Sequence, residues 1–261
     1  MTNFEKCYIN WIAFKTICYR EVVRFTRIWS QTLLPSAITM SLYFIIFGEL
    51  IGSQLAPIQG YSYMQYIVPG LVMMSIMTNA YANSSTSFFQ VKFTKSIEEM
   101  LISPMSSIVM LLGFTVGGAI RGLLVGAIVI AISYLFTNIP ILHPLIVISM
   151  AVLAAFLFSL GGVINGIFAK RFDDTAFIPT FILTPLTYLG GVFYSLHSLP
   201  PSFRKISLLN PILSIVDTFR FGLLGVSDIN IIFGFGVVGI LFILLFFIAV
   251  ILLQRGTGLK A

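Results

Sequence analysis

The stretch IVMLLGFTVGGAIRGLLVGAIVIAISYLF, residues 108–136, carries a single charged side chain, Arg121. A helix needs about 20 apolar residues to cross a bilayer, so this run exceeds one crossing and its first turns extend outside. The arginine falls 13 residues in, after about 20 Å of helical rise, near the middle of the membrane. An arginine there costs about 2.5–3.5 kcal/mol on insertion scales, so Arg121 must face protein or water. Two roles fit it: a structural one, bonded to carbonyls or to a polar group on a neighbouring span, and one along a transport path. Gly118, Gly122 and Gly126 form a ladder of small residues at four-residue spacing, which lets a second helix approach closely.

The rest of the chain has the same character. Of 261 residues, 58% are hydrophobic and 9% charged, and the mean hydropathy is +1.01. A soluble domain carries about 25% charged residues. Lipid is therefore the solvent for much of this surface, and no polar stretch is long enough to form a soluble catalytic domain. Five further runs are expected to span: residues 33–50, 66–89, 144–169, 175–196 and 229–253. The expected fold class is thus an all-α integral membrane protein of six transmembrane helices. No repeat of 20–50 residues stands out, and the halves do not read as the inverted pair common in secondary carriers.

Lysine and arginine orient the spans. Eleven cluster on one side: Lys6, Lys15, Arg20, Arg24 and Arg27, then Lys92 and Lys95, Lys170 and Arg171, Arg255 and Lys260. Three fall on the other, Arg204, Lys205 and Arg220. This asymmetry puts both termini in the cytoplasm. The net charge of +6 then reports topology, and no nucleic-acid partner is expected. Charges run through the first 32 residues with no cleavage site after a short apolar core, so no removable signal peptide is expected. Cys7 and Cys18 both fall in this segment and are expected to be free thiols.

Three elements lie outside plain spans. Residues 4–29 are expected to form an amphipathic interfacial helix. Phe4, Cys7, Trp11, Phe14, Cys18, Val22, Phe25 and Trp29 share one face, and Lys6, Arg20, Arg24 and Arg27 the other. Such a helix serves as a membrane anchor, or as an anchor that also touches a cytoplasmic partner. Residues 92–103 are expected to form a short helix ended by Pro104. Its apolar side holds Phe93, Ile97, Met100 and Leu101, with Lys92, Lys95 and Glu99 opposite. It either rests on the membrane or docks an apolar knob on another protein. Residues 197–228 are too short and polar to cross twice. Pro200, Pro201 and the Asn210-Pro211 pair break them into a re-entrant external hairpin, in which Asp217 and Arg220 are placed to pair.

Span two ends in TNAYANSSTS, residues 78–87, whose Asn79, Asn83 and hydroxyls suit a hydrated cavity or a helix contact. Span five carries Pro179, Pro185 and Gly190-Gly191, a place to bend. Its Phe177, Phe181, Tyr188, Phe193 and Tyr194 either line an aromatic passage or pack as core and lipid-facing rings. No GxxxxGK[ST] loop is present, so this chain has no P-loop for ATP. His143 and His197 sit at span ends without a metal-ligand cluster. No acid occupies the centre of a span: Glu49 lies near an outer end, and Asp173 and Asp174 lie in a loop. Of the competing readings, a standalone channel or secondary carrier and a lipid-modifying enzyme, a proton-coupled carrier thus lacks its usual group, and the enzyme lacks a convergent nucleophile, acid pair or metal site.

The order of parts, together with IRGLLVG at 120–126, NGIFAKRFDD at 165–174, FILTPLTYLGGVFYSL at 181–196, LPP at 199–201, LLNP at 208–211 with Phe219 and Arg220, and QRGTGL at 254–259, resembles the ABC-2 type export permeases. The resemblance covers essentially the whole chain and is nearest to bacterial inner-membrane members. It implies a homodimeric exporter subunit in the inner membrane, paired with two copies of a separate ABC-type ATPase subunit that binds ATP and Mg, while this chain holds no cofactor or metal. It also implies that residues 92–103 are the coupling helix and that spans two and five flank the central path. Relatives of this kind move polysaccharides, lipid-linked sugars, drugs or lipids.

Overall fold

The computed structural model describes residues 3–258. Lys260, counted above among the cytoplasmic charges, and Leu259 and Ala261 lie outside the described residues. Among the described residues the chain is all helical, with no strand.

A long helix α1 (Asn3–Arg27) is followed by a single turn, α2 (Trp29–Thr32), and by α3 (Leu34–Tyr43), which continues as a π-helix over Phe44–Ile51. Then come α4 (Tyr63–Phe93), α5 (Ser96–Ile102), α6 (Ser107–Ser133) and α7 (Pro144–Phe168). The broken segment follows: α8 (Phe172–Ile178), a π-helical turn (Pro179–Leu183) and α9 (Thr184–Tyr188). The chain closes with α10 (Pro201–Leu208), α11 (Pro211–Leu224) and α12 (Ile231–Arg255). Local chemistry sets several boundaries. Ser62 and Gln65 form a capping box at the start of α4, Asn230 caps α12 through Ile232 N–H, and α12 stops at Gly256 with φ 63°.

Four stretches are long and apolar enough to cross a bilayer: Trp29–Gln54, Ser107–Ser133, Pro144–Phe168 and Ile231–Arg255. The pair α10 and α11, bent by 88° at its break, makes a fifth if taken as one span. The bend falls at the Asn210-Pro211 pair; Pro201 and Pro211 open the two helices, where a missing N–H costs nothing. Helix α4 is not among them although it is 31 residues long. Its Asn79, Asn83, Ser84, Ser85 and Ser87 lower its hydropathy, and all five are buried inside the protein.

The segment expected as one helix over 175–196 departs from that reading. It begins earlier, at Phe172, passes through a π turn at Pro179, and loses helical structure after Tyr188. Prolines at 179 and 185 remove backbone donors, and Gly191 adopts φ 69°. The chain then runs irregularly against α4, where Gly70 leaves room for the backbone of Val192.

Helix α4 is the axis of the molecule, packed between α6 and α7. The glycines of α6 decide how close it comes. A Cβ on Gly122 would lie 2.7 Å from the carbonyl oxygen of Ile76, and one on Gly118 would collide with Ser84 and Ser159. Gly162 and Gly166 do the same for α7, facing the carbonyls of Tyr81 and Ser85. Bare backbone at these crossings gives close van der Waals contact, the main adhesive between helices in lipid.

A second glycine face on α6 changes the reading of the N-terminal helix. Gly113 meets Ile17 and Gly117 meets Glu21, so α1 lies directly on α6. Its protein-facing side is Ile17, Glu21 and Phe25, all buried. Of the face expected to be apolar, Phe4, Trp11 and Trp29 stay exposed, as do Tyr8 and Tyr19.

Both ends of the described chain meet at one end of the bundle. Ile17, Ile97, Met110, Ile167 and Leu253 share one buried apolar cluster there. At the opposite end Asp228 ties three connections together, accepting from Gln59 Nε2 at 2.7 Å, Ser195 Oγ at 2.8 Å and Leu196 N at 2.6 Å.

Candidate functional site

The loop helix is built differently from its sequence expectation. Helix α4 runs on through Lys92 and Phe93, so those two belong to it. The chain breaks at Thr94 and Lys95, whose φ of 60° turns the backbone, and α5 starts at Ser96. Lys92 does not sit on a rim. Its ammonium donates to the carbonyls of Ile167 at 2.6 Å and Ala169 at 2.8 Å, closing the C-terminal end of α7. Ile97, expected on the outward apolar face, points into the chain and is 1% exposed. A seven-residue helix needs an anchor, and Ile97 supplies it against Ile17 and Met110. The outward apolar residues are Phe93, Leu101 and Ile102, the last 86% exposed, while Met100 is half-buried.

The intramembrane polar residues come together. Arg121 reaches from α6 to the carbonyl of Thr32 at 3.3 Å, to Asn79 Oδ1 at 3.3 Å and to Asn83 Oδ1 at 3.5 Å. Asn79 in turn donates to Ser36 Oγ at 3.1 Å. The arginine thus binds the start of the first span to α4 and α6. Two further members join from α1: Arg24, expected on a basic outer face, and Glu21, which the sequence reading did not single out. Arg24 of α1 donates to Asn83 Oδ1 at 2.9 Å, and Glu21 accepts from Arg24 at 2.9 Å and from Ser87 Oγ at 2.6 Å. The one available signal was the spacing of Glu21 and Arg24, one turn apart on α1, opposite the glycines at 113 and 117.

The aromatic residues expected along a path are only partly brought together. Tyr188 and Phe193 stack with centroids 5.8 Å apart, and Tyr188 Oη lies 3.2 Å from Tyr43 Oη. Phe193 also meets Phe47 at 5.0 Å. This cluster joins the first span to the broken segment, and its Tyr43 and Phe47 were not foreseen. Phe181 stands apart, packed on Phe177 at 5.0 Å. Tyr194 is half-buried and makes no ring contact with the cluster.

In the broken hairpin, Pro200 and Pro201 open α10, and Pro211 opens α11. Asn210 accepts from Ile212 N at 3.0 Å and donates to the carbonyl of Leu186 at 2.6 Å. Asp217 and Arg220 pair inside the protein. The Arg220 guanidinium also lies 4.0 Å from the ring centre of Tyr66 and donates to the carbonyl of Gly191 at 2.6 Å. Among the described residues no group of acids, histidines and cysteines is placed to hold a metal.

The family model of the ABC-2 type transporter matches residues 12–224. The chain is 51% identical over 254 residues to the inner membrane transport permease YadH of Escherichia coli (strain K12), across 97% of this chain and 99% of that one. It is 25% identical over 251 residues to nodulation protein J of Rhizobium leguminosarum bv. viciae, across 95% of each chain. To nodulation protein J of Rhizobium meliloti (strain 1021) it is 23% identical over 250 residues, across 94% of this chain and 93% of that one.

Proposed function

The chain belongs to the ABC-2 type transporter family, and on that premise we propose that it is the membrane-spanning permease of an ABC exporter in the bacterial inner membrane. It moves a lipid, glycan-lipid or hydrophobic compound outward, using ATP hydrolysed by a separate ATPase subunit. The observation that carries this reading is α5. It is rooted by Ile97, turned back at Lys95, and presents Leu101 and Ile102, next to Phe93 at the end of α4, where both ends of the described chain meet. A chain without a P-loop receives ATP-driven work only through a contact, and an apolar tip on a rigid root suits one. The charge asymmetry makes that end cytoplasmic.

In this reading α4 and the broken segment each cross the membrane, which completes six crossings. The subunit works as a homodimer. Only 17% of the apolar window of Trp29–Gln54 is buried within the chain. Ile38, Leu42 and Ile45 are exposed there, and Phe177, Phe181 and Ile182 on the broken segment. These two surfaces face the second copy and the bilayer, on either side of the aromatic cluster at Tyr43, Phe47, Tyr188 and Phe193.

The test is to express the chain with the ABC-type ATPase encoded beside it, isolate the complex through the permease, and measure ATP turnover in nanodiscs. Retention of the ATPase, with turnover that depends on α5, is the expected result. If the intact chain retains no ATPase, the exporter reading is wrong.

A further inference from the structure

Positive charge is out of balance in the groove between α1 and α4. Two connected hollows of about 630 Å³ and about 190 Å³ share Arg20, Arg24 and Gln90. Tyr19, Val23 and Arg27 line the wider one, and Glu21 and Ser87 the narrower. Arg24 links this lining to Asn83, and through Asn83 to Arg121, neither of which lines a hollow itself. Three arginines thus line these hollows with one carboxylate, Glu21, which is already engaged by Arg24, Ser87 and, at 3.6 Å, Arg20, while Glu99 shares a neighbouring hollow with one of the three, Arg20.

The inner two arginines share a neutral acceptor. Arg24 and Arg121 both point at Asn83 Oδ1, and an amide oxygen offers hydrogen bonds but no countercharge. Three buried N–H groups at this point have no partner: Arg24 Nε, Arg121 Nε and Asn83 Nδ2. Asn83 is fully buried. Unpaired donors in such a place are costly, and here all of them want an acceptor beside excess positive charge. A group with several anionic oxygens answers both needs. Exposed Tyr19 lines the wider hollow, and Tyr8 and Trp11 are exposed further along the same helix, residues suited to the headgroup level of a bilayer.

We propose that this groove binds the phosphate of an amphiphile in the adjacent leaflet. Arg27, Arg20 and Arg24 receive the phosphate, and Arg24, which lines both hollows, carries its negative charge toward Arg121. The same chemistry describes a resident anionic phospholipid and an exported phosphate-bearing lipid. Only the second of these rests on the exporter reading.

Binding is measured on the purified full chain in detergent, titrated with phosphatidylglycerol or with phosphatidylcholine, by native mass spectrometry and thermal shift. Phosphatidylglycerol should be retained and raise the melting temperature, and phosphatidylcholine should do so roughly tenfold more weakly. Arg27→Gln should weaken phosphatidylglycerol binding by roughly tenfold. Arg27 is exposed and makes no hydrogen bond or ion pair among the described residues, so its replacement leaves the packing of the fold intact. Arg24→Gln should weaken it further, while Lys15→Gln, on α1 but outside the groove, should leave it unchanged. Equal retention of the two lipids, or unchanged binding in Arg27→Gln, overturns the proposal. The ATPase complex separates the sources: an exported lipid stimulates ATP turnover, and a resident one binds without doing so. Loss of the ATPase partner alone would defeat the exporter reading and leave the binding result standing.

Discussion

Asp217 and Arg220 lie one turn apart on α11, both fully buried, with Oδ1 3.6 Å from Nη1. Neither charge rests on the other alone. The carboxylate also accepts from Ser227 Oγ at 2.6 Å and from the backbone N–H groups of Asp228 and Ile229 at 3.0 Å. The guanidinium holds the carbonyls of Gly191 and Tyr66. The pair thus fastens the start of α12, the irregular stretch after α9 and the first turns of α4 to one helix. Removing one partner of a buried pair costs about 3–5 kcal/mol. Arg220→Leu should lower the melting temperature in detergent and the yield of inserted protein. Arg220→Lys should recover part of both, since it keeps the charge and loses the fork. Unchanged melting in Arg220→Leu would show that the pair contributes little.

Arg121→Leu should loosen the first span from α4 and α6, because the carbonyl of Thr32 and Asn79 Oδ1 lose its bonds and Asn83 Oδ1 is left to Arg24. Arg121→Lys should be milder, since it reaches fewer of them. Cross-linking between cysteines placed at Ser36 and Ala82 reports the change. The same cross-linking rate in all three proteins would argue against a fastening role.

The two sides of α5 should separate by phenotype. Ile97→Asp puts a charge into the apolar cluster at the chain's own core and should reduce folded protein. Leu101→Asp and Ile102→Asp should leave insertion and melting intact and abolish ATPase retention. Lys95→Ala should be mild, as exposed pairs are worth about 0–1 kcal/mol. Full ATPase retention in both tip variants would remove α5 from the contact.

Gly122→Ala should destabilise by about 1–3 kcal/mol, because its new methyl would sit 2.7 Å from the Ile76 carbonyl oxygen. Gly236→Ala on α12 is the matched control, with nothing within 4 Å of the added carbon. Thermal unfolding of the two variants side by side gives the comparison, and equal melting would mean that α4 and α6 can part without cost.

Asp174 accepts from the backbone N–H groups of Lys170 at 2.8 Å and Arg171 at 2.9 Å. These bonds hold its carboxyl below the ordinary carboxylate range. A lowered folded value means the contribution is complete at neutral pH and is lost as the pH falls through that value. Asp174→Asn should therefore flatten the acid side of the melting profile around α8. An unaltered acid limb would assign the acid sensitivity elsewhere.

Much of this architecture is legible in the residues, for reasons of energy. A mid-span arginine has to find an acceptor, and the polar residues of 78–87 were visible, but that Arg121 meets Asn79 and Asn83 depends on how α4 and α6 pack. Asp217 and Arg220 at one-turn spacing in an apolar stretch could hardly remain apart. Pro179, Pro185 and Gly190-Gly191 marked the broken segment, although the place where helix gives way to irregular chain depends on Val192 meeting Gly70. The orientation of α1 was not legible from its own periodicity. Its aromatic stripe and its basic stripe both suited an interface, and the face chosen was set by Gly113 and Gly117 on α6. Glu21 was hidden for the same reason, as one acid among basic neighbours. Ile97 followed an amphipathic pattern correctly, but a pattern does not say which side of a short helix is the root.

The π-helical run at Phe44–Ile51 has a mechanical consequence. A π turn carries surplus residues relative to an α turn, so it acts as stored twist. An α-helical residue advances about 100° around the axis and a π-helical residue somewhat less, so returning the whole run to α geometry would rotate everything beyond it by the sum of those differences while exchanging hydrogen bonds one for one. Tyr43 stands at the hinge of this screw and Gly48 within it, where Met64 of α4 fills the room a side chain would need. Such a change would turn the outer half of the first span about its own axis, and the ring of Phe47, now 5.0 Å from Phe193, would turn with it.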